Sequence, residues 1–206
     1  MANDSGMPEI SVLELASALE HGEPLQIVDV RAPARVQQGR IDLVHDSRFH
    51  NIVGSQLIAY SALDGTGIDP SLPVVVVCGH GHDSKRLALH LNAIGCRARS
   101  LTGGLSAWMR VAMPRALQPP PSLDQFVQFD RLGKGALGYL LVSDGQALVV
   151  DPPLEASSYL EAAADRGARI VGVADTHVHA DYVSGATKLA RALGVPYYLH
   201  AADSFY

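Results

Sequence analysis

A cysteine stands at the end of a strongly apolar, β-branched run, and a short glycine-rich segment follows it. Residues 74–77 are all valine, and Cys78 comes next. The residues that complete the segment are Gly79, His80, Gly81, His82, Asp83 and Ser84. This order of residue types predicts a strand, a tight loop and a helix that begins near Ser84. In an open α/β sheet, ligands bind at the carboxyl ends of the strands.

The same arrangement suits a reactive thiol. Backbone N–H groups of a glycine-rich loop, together with the N-terminus of the following helix, stabilise a thiolate or a negative group attached to the sulfur. We therefore predict Cys78 as a nucleophile and residues 79–84 as its substrate-binding loop. His80 and His82 either contact the substrate or are exposed loop residues. Cys96 follows a helix-ending glycine without such a loop, so it is predicted to be structural.

Composition excludes several classes of protein. The 206 residues carry a formal net charge of −5 and contain no basic run, which argues against a nucleic-acid partner. The apolar runs are too short to span a bilayer, and the polar N-terminus lacks the apolar core of a signal peptide. The expectation is a cytoplasmic protein with no membrane partner. In that compartment a disulfide between the two cysteines is the less favoured interpretation.

Strand and helix patterns alternate in the first half of the chain. Strands are predicted at 25–30, 57–60, 74–77 and 97–101, and helices at 13–19, 33–38, 84–94 and 104–111. Such alternation is typical of an α/β fold with an open parallel sheet and helices on both faces. Residues 114–122, which include three consecutive prolines, are predicted to be a Pro-rich linker. The linker separates a domain at 8–113 from a second one at 123–206.

The second domain also mixes strands and helices, and it carries a pair of histidines near a strand end. Strands are predicted at 126–129, 139–142, 147–150, 170–174 and 197–199, and helices at 157–166 and 184–193. Alternate residues at a strand end project to one side, so His177 and His179 could converge on one metal ion. By spacing alone, two histidines in a polar loop are the more favoured interpretation.

Four segments of the first domain, in this order along the chain, resemble the rhodanese family of sulfurtransferases: residues 27–31, residues 39–41, the Cys78 loop and residues 101–108. The resemblance implies a rhodanese-like fold and a transfer cycle that requires no cofactor. In that cycle Cys78 takes the outer sulfur of a small-molecule persulfide or thiosulfate and passes it to a thiol acceptor. Asp29 and Arg31 are expected to form a supporting ion pair, or Arg31 is a surface residue.

The loop departs from the family pattern at one position. Many thiosulfate-using rhodaneses carry an arginine or lysine in this loop, whereas this chain carries Asp83. A carboxylate near the thiolate disfavours anions by about 1 kcal/mol or more. A thiol persulfide such as glutathione persulfide is therefore the expected donor. The rival chemistry, a tyrosine phosphatase, needs an arginine six residues after the cysteine, and that position is Ser84.

Residues 123–206 resemble the first half of a metallo-β-lactamase αβ/βα fold, in the branch of persulfide dioxygenases and glyoxalase II. The matching segments are 138–139, 147–152 and 176–182. The resemblance implies iron (or zinc) in a complete domain, with His177 as the first ligand and others supplied by the second half of the fold. Tyr182 replaces the last histidine of the pattern. We therefore expect His177, His179 and Asp181 to be an incomplete or vestigial metal site that binds no metal tightly in this chain.

A partial sandwich would also leave one apolar sheet face uncovered. A second copy in a homo-oligomer, the first domain or residues outside this sequence could cover it.

The functional prediction is a sulfurtransferase that moves sulfane sulfur through a persulfide on Cys78, within a fusion protein that oxidises sulfide or persulfide. The alternative is a non-catalytic persulfide carrier or sensor with a degenerate second domain.

Overall fold

Two sheets organise this computed structural model, which describes residues 8–180 and 182–203. The chain divides into two units, Met1–Val111 and Ala112–Tyr206, and each contains one of the sheets. Among the described residues, no helix is both long and apolar enough to cross a bilayer.

The first unit contains five strands, five α-helices and a single-turn 3₁₀ helix within its described residues. The strands are β1 (Glu9–Ile10), β2 (Gln26–Asp29), β3 (Phe49–Asn51), β4 (Pro73–Val77) and β5 (Arg97–Leu101). The helices are α1 (Val12–Glu20), α2 (Pro33–Gln37), α3 (Gly54–Leu57), α4 (Asp83–Ala93) and α5 (Gly104–Trp108), and the 3₁₀ helix is Asp46–Arg48.

All strand pairs of the first sheet are parallel, and the strand order is β1-β5-β4-β2-β3. The predicted parallel α/β sheet is therefore confirmed. Val74 and Val76 of β4 pack with Leu87 and Leu91 of α4 on one face. The alternate residue Val75 is equally buried, and it points to the opposite face because side chains alternate along a strand. Burial on both faces explains the unbroken valine run.

The prediction of a strand at 57–60 is wrong. Residues Gly54–Leu57 form α3, and the third strand of this part of the sheet lies earlier, at Phe49–Asn51. Leu57 is buried in the same apolar cluster as Leu87. A short apolar segment shows too few residues to separate a period of two from a period of 3.6, and tertiary packing settles the conformation.

The second unit has six strands, two α-helices and a terminal 3₁₀ helix within the described residues. The strands are β6 (Met113–Leu117), β7 (Gln125–Arg131), β8 (Ala136–Ser143), β9 (Gln146–Val150), β10 (Arg169–Ala174) and β11 (Tyr197–Tyr198). The helices are α6 (Ser157–Asp165) and α7 (Ala186–Leu193), and the 3₁₀ helix is Ala201–Asp203.

The second sheet is mixed, in the order β11-β10-β9-β8-β7-β6. Strands β6 to β9 are antiparallel neighbours, whereas β9, β10 and β11 are parallel. The predicted turn between β8 and β9 is present: Asp144 and Gly145 both have positive φ, at 49° and 67°. That pair of conformations is what a two-residue hairpin loop requires.

Strand β6 overlaps the segment predicted as a linker, residues 114–122. Residues 113–117 pair with β7, and β6 is the edge strand of the sheet. Pro114 is compatible with this position, since a proline is tolerated in an edge strand but not in a central one. The three consecutive prolines at 119–121 lie outside any strand.

The core of the second unit lies on one face of its sheet. Phe129 and Leu140 are buried there with Tyr159 of α6 and Leu189 of α7. The alternate face carries the half-buried side chains Phe126, Tyr139, Leu141 and Leu148. The expectation that a second copy, the first domain or residues outside this sequence cover this apolar face stays a prediction.

We expect Leu91→Ala to lower the free energy of unfolding of the first unit by about 2–5 kcal/mol, because it opens a cavity in a fully buried cluster. Leu89 of the same helix is 45% exposed, so Leu89→Ala is the matched control and should change stability by less than about 0.5 kcal/mol. The chain contains one tryptophan, Trp108, which is buried in the first unit. Its fluorescence during urea unfolding reports the relevant transition. Equal losses in the two variants would contradict the assigned packing.

Candidate functional site

Cys78 follows β4 directly and holds its sulfur within reach of two hydrogen-bond donors. The backbone N–H of Gly81 donates to Sγ at 3.1 Å, and the Ser84 hydroxyl lies 3.2 Å from Sγ. Ser84 is in the first turn of α4, where backbone N–H groups have no partner within the helix. The residue is 5% exposed, so the thiol sits at the bottom of the loop.

These donors change the acidity of the thiol. Burial of the sulfur opposes ionisation, but hydrogen bonds from the Ser84 hydroxyl and from the backbone N–H groups of Ser84, His80 and Gly81 outweigh it. They hold the pKa of Cys78 below its usual value. Cys96 is buried without such donors, and burial raises the pKa of its thiol. Of the two cysteines, Cys78 is therefore the one suited to react as a thiolate.

A second glycine turn presses against the Cys78 loop and fixes its peptide groups. Gly104 has φ +59°, and a Cβ there would lie 2.5 Å from the Cys78 carbonyl oxygen and 2.8 Å from the His80 nitrogen. At the start of α5, the N–H of Leu105 donates to the Cys78 carbonyl at 2.9 Å, and that of Ser106 donates to the Gly79 carbonyl at 3.0 Å.

These carbonyl contacts decide where the loop N–H groups point. In a trans peptide the N–H is opposite the C=O, and the described residues contain no cis peptide bond. Holding the Gly79 carbonyl toward α5 therefore turns the His80 N–H toward the sulfur. Gly81 requires glycine for two reasons: its φ is +85°, and a Cβ there would lie 2.7 Å from the Gly103 nitrogen.

The charged and titratable side chains around the loop stay on its outer surface. His80, His82 and Asp83 are all exposed, and Asp83 is the first residue of α4 rather than a loop residue. Lys85 pairs with Glu9 of β1 at 3.0 Å. Among the described residues, the hydrogen-bond donors that contact the sulfur are therefore neutral.

Asp29 and Arg31 form a buried ion pair beside the loop. The Arg31 guanidinium donates to both carboxylate oxygens of Asp29, at 2.9 Å and 2.6 Å, and also to the Gly39 carbonyl at 2.7 Å. Asp29 pairs in register with Val77, the residue before Cys78. Arg31 therefore connects the end of β2 to the Gly39 segment and is not a surface residue.

Ser100 lies near the site, although the sequence predicts it only as part of a strand. It lies on β5, and its hydroxyl donates to Ser84 at 2.8 Å, with both serines fully buried. Strand β5 also carries two arginines, so the sequence does not single Ser100 out; its burial does, because a buried hydroxyl needs a partner.

In the second unit, the rings of His177 and His179 lie next to each other, with their centroids 4.3 Å apart. His177 is exposed, and its Nδ1 lies 2.9 Å from the Thr176 hydroxyl. His179 Nε2 lies 3.2 Å from Asp151 Oδ1 and 4.0 Å from Asp175 Oδ1. Asp181 lies outside the described residues.

Two aspartates that were not predicted as site residues, Asp151 and Asp175, form a cluster with His179. One atom from each of these three side chains lies within 4.8 Å of the others. Asp151 follows β9 and Asp175 follows β10, and these strands are parallel neighbours. Parallel strands bring their carboxyl ends to one edge of the sheet, a signal that could have predicted the cluster.

The potential ligand atoms of this cluster make hydrogen bonds to neighbouring side chains. His179 Nε2 lies 2.9 Å from the Tyr182 hydroxyl, and the two rings stack. Both oxygens of Asp175 accept hydrogen bonds, from Ser184 at 2.8 Å and from Tyr197 at 2.9 Å.

A buried cation also lies beside Tyr182. The Arg131 guanidinium is centred 4.3 Å from the Tyr182 ring, and Arg131 is only 7% exposed. A positive charge in a desolvated site opposes the entry of a dication.

Comparison with known families matches two separate segments of the chain. The model of the rhodanese-like domain matches residues 11–110, and that of the metallo-beta-lactamase superfamily matches residues 133–206. The hydroxyacylglutathione hydrolase of Anaeromyxobacter dehalogenans (strain 2CP-C) is 39% identical over 74 residues, which are 36% of this chain and 29% of that protein. The chain spans about a third of the length of the curated relatives it matches.

Two solved structures from Staphylococcus aureus match one part of the chain each. A rhodanese-like domain protein is 26% identical with a TM-score of 0.42, over 50% of this chain and 91% of that one. A metallo-beta-lactamase of subsp. aureus COL is 33% identical with a TM-score of 0.36, over 37% of this chain and 23% of that one. From the two family models, residues 11–110 are a rhodanese-like domain, and residues 133–206 belong to the metallo-beta-lactamase superfamily.

Proposed function

We propose that the first unit is a sulfurtransferase that moves sulfane sulfur through a persulfide on Cys78. One observation carries the proposal: the Cys78 sulfur lies at the start of α4, with the Gly81 N–H at 3.1 Å and the Ser84 hydroxyl at 3.2 Å. Neutral donors of this kind stabilise a thiolate without a side-chain base, and the thiolate is the nucleophilic form of cysteine.

The first half of the cycle loads the cysteine. The Cys78 thiolate attacks the outer sulfur of a donor persulfide, R–S–S⁻, and a new S–S bond forms as the donor S–S bond breaks. The donor leaves as the thiolate R–S⁻, and the outer sulfur remains on Cys78 as a persulfide anion. The backbone N–H groups that point to Sγ are positioned to hold this new negative charge.

The second half returns the enzyme to its starting state. An acceptor thiolate, or cyanide, attacks the outer sulfur of the Cys78 persulfide, and the S–S bond to Cys78 breaks. The products are the acceptor persulfide, or thiocyanate, and the free Cys78 thiolate. One sulfur atom has moved between two nucleophiles, so no external oxidant or reductant is consumed.

A thiol persulfide is the donor we favour over thiosulfate. Asp83 is exposed at the first residue of α4, close in sequence to the donors around the sulfur, and adds negative charge where a thiosulfate dianion would approach. A glutathione-linked donor also agrees with the name of one relative, a hydroxyacylglutathione hydrolase.

The low exposure of Cys78 supports a second candidate, a persulfide carrier or sensor. A sulfur atom in a residue that is only 5% exposed is protected from solvent and from small acceptors. A carrier would form the same persulfide but would release its sulfur only to a fitting partner.

Turnover separates the two candidates. We expect the chain to release thiocyanate repeatedly when supplied with glutathione persulfide and cyanide, and Cys78→Ser to abolish release because it removes the nucleophile. Cys96→Ala is the control and should retain activity, since Cys96 is buried in the core of the first unit. Release limited to a single turnover would favour the carrier, and undiminished release by Cys78→Ser would contradict both.

The pH dependence of alkylation tests the state of the thiol. Because the pKa of Cys78 is lowered, its thiolate persists as the pH falls below the ordinary cysteine value of about 8.5. In a Cys96→Ala variant, where Cys78 is the remaining cysteine, we expect the rate of reaction with iodoacetamide to reach half its maximum below that pH. The reciprocal variant Cys78→Ala, which keeps Cys96, should show a midpoint above it. Equal midpoints in the two variants would argue against an activated Cys78.

We also propose that this sulfurtransferase acts within a fusion protein that oxidises sulfide or persulfide, and that the chain holds no metal tightly in its second unit. The involvement of His179 with Tyr182, and the buried Arg131 beside that tyrosine, support the second statement.

Metal analysis tests the second unit directly. After incubation with iron(II) or zinc and removal of free metal, we expect well below one equivalent to remain, because Tyr182 and Arg131 oppose a dication near His179. Tyr182→His replaces the phenol with an imidazole ligand and should raise the retained amount. One equivalent of either metal bound to the unmodified chain would contradict this proposal.

A further inference from the structure

Two buried serines form a series of hydrogen bonds that ends at the Cys78 sulfur. The Ser100 hydroxyl donates to Ser84 Oγ at 2.8 Å, and Ser84 Oγ lies 3.2 Å from Sγ. Both serines are 0% exposed, so solvent does not compete for their hydroxyl groups. Ser100 is therefore connected to the thiol through one intervening side chain.

The position of Ser100 follows from the register of the sheet. Ser100 of β5 pairs with Val76 of β4, two residues before Cys78. Side chains alternate along a strand, so Ser100 is on the same face as Ala98, which packs in the cluster that contains Cys78 and α4. The sheet thus presents one hydroxyl group to the first turn of α4 in an otherwise apolar layer.

The direction of donation matters for the thiolate. A serine hydroxyl has one hydrogen to donate and two lone pairs to accept. Because Ser84 accepts from Ser100, its own hydrogen is available to the sulfur, and a thiolate or persulfide anion can only accept. Hydrogen bonds arranged head to tail also polarise one another. Without Ser100, the Ser84 hydroxyl could turn to another acceptor.

We propose that Ser100 is a positioning residue for the reaction at Cys78: it holds the Ser84 hydroxyl as a donor to the sulfur. The inference rests on the proposed function and adds a residue to it. Ser100 does not touch the reacting atoms, and its effect passes through Ser84.

The test measures the alkylation midpoint of Cys78 in the Cys96→Ala background, together with sulfur loading from glutathione persulfide. Ser100→Ala is expected to raise the midpoint by about 0.3–0.7 pH units and to slow alkylation about two- to fivefold below it, the size of one ordinary hydrogen bond. Ser84→Ala should raise the midpoint at least as much. Ser100→Thr keeps a hydroxyl group and should leave the midpoint near that of the parent.

Two comparisons separate positioning from a general structural role. In a Ser84→Ala background, adding Ser100→Ala should shift the midpoint no further, because residues that act as one unit are not additive. Ala98→Gly changes a buried residue of the same strand and face and is expected to lower stability without moving the midpoint. If Ser100→Ala does not fold, the pair Ser100→Thr and Ser100→Val makes the same comparison at nearly constant shape.

The outcomes also distinguish this inference from the sulfurtransferase proposal. A midpoint shifted by Ser100→Ala in a protein that never accepts sulfur would support the positioning role of Ser100 and contradict the proposed function. Normal sulfur loading with an unshifted midpoint in Ser100→Ala would overturn the positioning role and leave the proposed function standing. An additive shift in the double variant, or an equal shift in Ala98→Gly, would also overturn it.

Discussion

The contact between the glycine turn at 103–104 and the Cys78 loop is the constraint on which the site of the first unit depends. Gly104 approaches the Cys78 carbonyl so closely that a side chain would lie within 2.5 Å of it. This approach lets α5 hold the carbonyls of Cys78 and Gly79, and the His80 N–H then faces the sulfur. The lowered pKa of Cys78 rests on this N–H together with the Ser84 hydroxyl and N–H at the start of α4 and the N–H of Gly81.

The two units differ in how they stabilise negatively charged groups. In the first, one sulfur is surrounded by neutral donors from the backbone and from serine. In the second, the carboxylates of Asp151 and Asp175 accept hydrogen bonds, and a buried Arg131 lies against the Tyr182 ring. The first arrangement favours an anion that appears and disappears in a transfer cycle. The second is already satisfied within the protein, so it has less need of a cation.

The sequence predicts the loop well because its signals are local. A valine run, a cysteine and closely spaced glycines belong to one short segment, and the parallel sheet follows from the alternation of strands and helices. The residues that were missed depend on register between distant segments. Ser100 faces Ser84 only because β5 pairs with β4 in one particular register. Asp151 and Asp175 meet because β9 and β10 are parallel neighbours.

Prediction failed where a short segment carried too little periodicity. Residues 57–60 are predicted as a strand, yet Leu57 is the last residue of α3 and is buried in the same apolar cluster as Leu87 of α4. Residues 114–117 are predicted as part of the Pro-rich linker because three consecutive prolines follow at 119–121, yet they pair with β7 in an edge strand, which accepts Pro114. Asp83 was expected within the loop and is the first residue of α4 instead.

The most direct test of the central claim is the intact mass of the chain after incubation with glutathione persulfide, followed by peptide mapping. The proposed function predicts that the protein gains the mass of one sulfur atom, located on the peptide that contains Cys78, and that Cys78→Ser gains none. An unchanged mass, or sulfur found on Cys96 instead, would contradict Cys78 as the persulfide-carrying nucleophile.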